Sequence, residues 1–219
     1  MVAIIVPIGT EWASKINMKR NTSSGRLGRP RSFDTEAALD RALQVFWRRG
    51  YEGATLSDLT KAVGVNRPSL YAAFGDKEAL FRKVLGRYLD GPAAYTQEAL
   101  KEPTARAVVE RLLRGAADLN TAPRNPGGCL TVQGALACGE AGDSIRRELA
   151  AYRATGEAAF RRRFQRAKSE GDLPATANPT DLARYVATIV YGMAVQAAGG
   201  ATRDKLQNVV EMVLRTLPL

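Results

Sequence analysis

The chain has 219 residues and a net charge of +10, with 45% hydrophobic and 25% charged residues. These are the proportions of an ordinary globular protein, and the length suffices for a small domain joined to a larger one. No apolar run approaches the roughly 20 residues that cross a bilayer. Histidine is absent and there are only two cysteines, which removes His-based acid–base catalysis, Ser-His and Cys-His dyads and the commonest zinc ligand.

Residues 15–90 carry 15 Lys/Arg against 8 Asp/Glu, and residues 91–219 carry 17 against 13. A basic first third is the electrostatic footprint of a phosphate-binding module, although a solvated basic surface has the same composition. The opening MVAIIVPI lacks the basic start and long apolar core of a secretory signal. Met18, followed by KRNTSSGRLGRPRS, is an alternative translation start, and residues 1–33 read as a flexible basic arm.

From there the pattern is helical. A first helix is expected over about 34–49: Asp34 caps it, Glu36 suits its positive end, and Leu39, Ala42, Leu43 and Phe46 repeat on one face. Gly50 ends it. A second helix, about 56–63, opens on the Thr55/Asp58 capping pair and stops at Gly64. Asn66 and Pro68 start a short third helix, about 67–73, whose Leu70 and Phe74 should face the core. Two short helices joined through a glycine turn and packed on a longer one describe a helix-turn-helix. A fourth helix, capped by Asp76, runs from Lys77 to about Leu100 and should kink or break at Gly91-Pro92. Further helices follow at about 104–120, 128–137, 143–170, 179–198 and 202–216, the fourth of these opened by Asn178-Pro179-Thr180-Asp181.

The expected fold is all-α: a three-helix helix-turn-helix domain over 34–80 and a larger helical domain over 81–219 for ligand binding and dimerisation. No phosphate loop, dinucleotide fingerprint or metal-ligand cluster occurs, so no catalytic residue, cofactor or metal is expected. Nor is a membrane partner, and free cysteines suit a reducing cytoplasm. Cys129 and Cys138, if on one helix, would sit about 13 Å apart along its axis at 1.5 Å per residue, too far for a disulfide.

The stretch from Phe33 to Phe81 resembles the tetracycline-repressor (TetR) family of bacterial transcription regulators. Phe46, Gly50-Tyr51 and Thr55 follow F-x3-G-Y-x3-T. Gly64-Val65, Leu70-Tyr71 and Phe74 follow G-V-x4-L-Y-x2-F. Lys77-Glu78 and Leu80 complete K-E-x-L, and Leu59 also matches. The resemblance implies a sequence-specific regulator, more often a repressor, whose third helix enters the major groove of an operator. Asn66, Arg67, Pro68, Ser69, Tyr71 and Ala72 are then its exposed residues. Arg67 is the candidate for a bidentate contact to guanine, and Asn66 either reads adenine or caps the helix, the cap being favoured because it is locally sufficient. Tyr71 and Lys77 match family positions that touch phosphate. Thr55 should present its hydroxyl and the second helix's N-terminus to the backbone. Arg26, Arg29 and Arg31 of the arm can lie along phosphate or in the minor groove.

One such unit covers only a few base pairs, so a homodimer is expected, with half-sites about 34 Å apart or a multiple of that. The last two helices, through Tyr185, Ile189, Met193, Val209 and Val213, are the candidate interface. Tyr88, Tyr95, Leu113, Cys129, Leu130, Gln133, Tyr152 and Phe160 are candidate walls for a small-molecule effector pocket. Cys129, expected in a helix's first turn, also suggests thiol-based redox or electrophile sensing, against the plainer reading of a buried helix residue. The Arg161-Arg162-Arg163-x2-Arg166 run reads as a solvated helix face. The competing function is sequence-independent nucleic-acid binding.

Overall fold

The protein is described by a computed structural model over residues 34–136 and 138–217. The predicted basic arm, with Met18, Arg26, Arg29 and Arg31, lies outside the described residues. Among those described there are helices and no strand: α1 Thr35–Gly53, α2 Leu56–Val63, α3 Arg67–Phe74, α4 Lys77–Asp90, α5 Tyr95–Ala99, α6 Ala105–Thr121, α7 Leu130–Gln133, a 3-10 turn at Glu140–Gly142, α8 Asp143–Ser169, α9 Pro179–Ala198 and α10 Arg203–Thr216. This is the expected all-α plan, a small helix-turn-helix head followed by a larger helical domain. None of these helices is long and apolar enough to cross a membrane.

Local chemistry sets most of the boundaries. Asp34 Oδ1 accepts from the backbone N–H groups of Glu36 and Ala37 at 3.1 and 3.0 Å and opens α1. Asn178 Oδ1 accepts from Thr180 N at 3.0 Å and, with Pro179 at the first helical position, opens α9. Such side-chain acceptors satisfy donors that a helix's first turn leaves unpaired. α2 ends where Gly64 turns left-handed at φ 81°. α4 stops at Asp90 and four residues separate it from α5, so Gly91-Pro92 breaks the helix rather than kinking it.

Gly50 does more than stop a helix. At φ 69°, ψ 178° it interrupts α1 in a conformation reserved for glycine. The chain beyond it turns inward, so that Tyr51 N donates to Gly134 O at 2.6 Å. A Cβ at position 50 would lie 3.3 Å from that same carbonyl oxygen. The Tyr51 ring then packs 5.3 Å from Phe81, itself edge-on to Phe46 at 5.1 Å.

Two apolar clusters result. The first joins α1–α4 to Leu130, Ile145 and Leu149; the head therefore shares its core with the segment around α7 and the start of α8. The second is built from α6, the later part of α8, α9 and α10, with Leu112, Leu113, Phe164, Val186 and Val210 fully buried.

Candidate nucleic-acid interface and a tyrosine-walled cavity

α3 is only eight residues long, too short to hold its shape without support. Its inner side, Leu70 and Phe74, is buried at 1% and 2% exposure, and its outer residues Asn66, Arg67, Pro68, Ser69 and Ala72 are exposed. Asn66 is the cap, its Oδ1 accepting from Ser69 N at 2.9 Å. Arg67 Nη2 donates to Tyr71 Oη at 3.3 Å, with the guanidinium carbon 5.3 Å from the ring centre. The candidate base-reading and phosphate-binding side chains thus form one cation–π pair along the helix.

At the front of α2, Thr55 Oγ1 accepts from Asp58 N at 3.1 Å while donating to Asp58 Oδ2 at 2.7 Å. That hydroxyl bond, then the Thr55 N–H, holds the Asp58 carboxyl below the usual carboxylate range. The exposed Thr55 hydroxyl is therefore already donating within its own capping box. Lys77 Nζ lies 4.6 Å from the Tyr51 ring centre and donates to Glu52 O at 3.4 Å, and partial burial lowers its pKa. Sequence reading missed Lys83, a second exposed cation beside α3, whose Nζ sits 5.4 Å over the Phe74 ring; a single lysine on an amphipathic helix carries no signal of its own.

A cavity of about 60 Å³ lies among α4, α5, α6, α8 and α9. Of the eight candidate walls, Tyr88, Tyr95, Cys129, Tyr152 and Phe160 line it. Leu113 and Leu130 are instead wholly buried in the second and first apolar clusters. Gln133 lies outside the lining, its amide packed where a Gly128 side chain would fall. Tyr191, Arg153 and Thr131 are also in the wall; they come from distant parts of the chain, and only tertiary packing brings them together. Tyr88 Oη donates to Cys129 Sγ at 3.1 Å, and Thr131 Oγ1 is 3.1 Å from the same sulfur. Arg153 Nη1 donates to Thr131 O at 2.5 Å and Tyr191 Oη to Arg153 O at 3.3 Å. Burial keeps the Tyr88 and Tyr95 hydroxyls protonated well above their ordinary range, and pushes Tyr191 up to about 12.

Several expectations need correcting. The predicted helix over 128–137 contracts to Leu130–Gln133, preceded by Cys129. Cys129 and Cys138 do not share a helix, and both are free thiols. A single turn also supplies little of the aligned dipole on which the reactive-thiol expectation leaned. Met193 and Val213, expected between subunits, are 2% and 3% exposed inside this chain's own second cluster, while Ile189 is half-buried against it. Tyr185 and Val209 do face outward, together with Val195 and Met212, at 38–60% exposure. Arg163 is not on a solvated face: it is 5% exposed, and Nη2 donates to Glu102 O and Pro103 O at 2.8 and 3.0 Å. Arg161, Arg162 and Arg166 are exposed as expected.

A family model described as bacterial regulatory proteins, tetR family, matches residues 38–84, and one described as tetracyclin repressor-like, C-terminal domain, matches residues 103–213. The chain is 33% identical to the HTH-type transcriptional repressor ComR of Escherichia coli K12 over 193 residues, covering 87% of this chain and 92% of ComR. It is 30% identical to YezE of Bacillus subtilis 168, an HTH-type transcriptional regulator, over 195 residues, 87% of this chain and all of YezE. Among solved structures it is similar to a cysteine mutant of the TetR family regulator CifR complexed with 26-base-pair double-strand operator DNA. The identity there is 43% and the TM-score 0.82, over 87% of this chain and 100% of that one.

Proposed function

The chain belongs to the tetR family of bacterial regulatory proteins and is a DNA-binding transcription regulator rather than an enzyme, and from that premise we propose that it acts in the cytoplasm as a homodimeric repressor released from its operator by a small molecule. Residues 34–80 are the reading unit and 81–219 the effector-binding and dimerising part. The observation that carries the reading is the split face of α3: Leu70 and Phe74 buried, Arg67, Pro68 and Ser69 exposed.

In this reading α3 enters the major groove, Arg67 leaves the Tyr71 ring for a guanine edge, and Ser69 and Pro68 flank that contact. Tyr71, Lys77 and Thr55 take backbone phosphates, Thr55 by turning its hydroxyl away from Asp58. Asn66 stays on its cap. The outward row of Tyr185, Val195, Val209 and Met212 on α9 and α10 supplies the apolar contact with a second copy. Effector binding favours a conformer whose two reading helices no longer match the groove spacing, with α4 and the segment around α7 carrying the change.

The test is binding of the purified chain to its own upstream intergenic DNA against random DNA across a salt series. The expected result is a preference of at least about 10³ for one site, two chains per site, and a log–log salt slope near −0.9 per phosphate contacted. Equal, weak binding to both DNAs would instead favour sequence-independent binding. Arg67→Ala should lose about 1–3 kcal/mol on the operator and relax selectivity at one base position. Equal losses on random DNA would remove the base-reading role.

A further inference from the structure

Two hollows adjoin in this fold. The tyrosine-walled cavity, at about 60 Å³, is far below the several hundred Å³ of an ordinary ligand pocket. It is also well under the roughly 150 Å³ that accepts a benzene ring. Beside it runs an open groove of about 910 Å³ between the head and the larger domain. Leu89, Thr96, Gln97 and Tyr152 line both spaces. The two spaces therefore share a wall; the narrow one is called the inner end and the wide one the outer end.

Their chemistries differ. The inner end is walled by aromatic rings with Leu112, Phe160 and Val190, and its one charged side chain, Arg153, already donates to the Thr131 carbonyl. Burial holds the Tyr88 and Tyr95 hydroxyls neutral, so a charged ligand group would be costly there. The outer end is lined by four cationic and three carboxylate side chains of α1 and α4. Arg87 among them is paired with Glu36 and Asp40. Its apolar floor includes Leu39, Leu43 and Trp47 of α1.

We propose that the effector is a linear amphiphile whose aliphatic tail fills the tyrosine-walled cavity and whose polar head lies in the groove against α1. This rests on the effector-release reading above and adds the ligand's class and the way it is read. At roughly 10–15 Å³ per water-sized unit, the cavity takes a chain of about four to six atoms and excludes a ring. The head group then touches the first helix of the reading unit directly. An occupant that fits only one setting of head against domain biases that setting by its differential affinity.

Trp12 and Trp47 are the two tryptophans, so Trp12→Phe in the full chain leaves Trp47 as the sole reporter in the groove. The probes are 1-alkanols of four to ten carbons, read by Trp47 emission and by displacement of a labelled operator fragment. Affinity should tighten about fourfold per methylene while the tail is being buried, and operator displacement should follow the same order. Gly156 of α8 lines the cavity, and a Cβ there meets no atom within 4 Å. Gly156→Leu therefore fills the space with a better helix former. It should weaken the alkanols at least tenfold and flatten the chain-length trend, with operator affinity unchanged in their absence.

No chain-length trend, or equal alkanol binding by Gly156→Leu, overturns the proposal. If a low-molecular-weight cell extract displaces the operator while alkanols do not, the amphiphile is wrong and effector release stands. If neither displaces it, both fall.

Discussion

Phe74→Ala is expected to cost about 3–5 kcal/mol of folding stability, the usual range for emptying a buried aromatic site, and to weaken operator binding at least tenfold. α3 has two inward anchors, Leu70 and Phe74, at 1% and 2% exposure. A helix of eight residues has no stability of its own to fall back on. Losing the ring also removes the surface over which Lys83 lies at 5.4 Å. Urea denaturation and operator titration on the same preparation check the two effects together. Arg67→Ala provides the contrast, since an exposed substitution usually stays within about 0.5 kcal/mol in stability. A Phe74→Ala protein with unchanged denaturation midpoint and operator affinity would show that α3 is held by something other than its apolar side.

The second large effect is expected at Trp47. Its indole Nε1 donates to Gly128 O at 2.9 Å in a buried bond, and its ring packs edge-on to Tyr88 at 4.8 Å. Tyr51 N reaches Gly134 O at 2.6 Å and Glu52 accepts from Gly139 N at 2.7 Å. The end of α1 is thus fastened at three points to the segment that carries Cys129 and Thr131 into the cavity wall. Trp47→Ala should cost about 3–5 kcal/mol through lost packing. Trp47→Phe keeps much of the ring but orphans the Gly128 carbonyl, a loss of about 1–3 kcal/mol. At about 2–4 °C per kcal/mol for a chain of this size, both are readable as shifts in Tm. Trp47→Phe should still bind operator but need more effector for release, because one of the fasteners between cavity and head is gone. Release at the wild-type effector concentration would place the coupling elsewhere, in α4.

The chain's structure is legible in its sequence where the deciding interaction spans three or four residues. α2 begins and ends at the expected Leu56 and Val63, because the Thr55/Asp58 box and Gly64 are self-contained signals. Asp34, Asn66 and Asn178 cap the helices they were expected to cap. The structure is not legible where helices carry apolar residues on more than one side. Nothing local in α9 or α10 says that Met193 and Val213 turn toward this chain's own core while Tyr185 and Val209 turn away. Arg163 looked like its neighbours Arg161 and Arg162, yet its position on α8 brings it beneath the 102–103 carbonyls. The predicted helix over 128–137 shrank to one turn, and nearby backbone is bonded to α1 instead, through the carbonyls of Gly128 and Gly134 and the N–H of Gly139.

Sequence alone therefore determined the all-α plan, the bounds of α2 and which side of α3 is buried, since caps, glycine turns and i, i+4 apolar spacing act within one or two helical turns. Only the tertiary structure decided the cavity, its groove and the fastening of α1 to the segment around α7. Tyr88, Cys129, Tyr152 and Tyr191 come from separate stretches of chain, and their meeting depends on how α4, α8 and α9 pack, which no local spacing encodes.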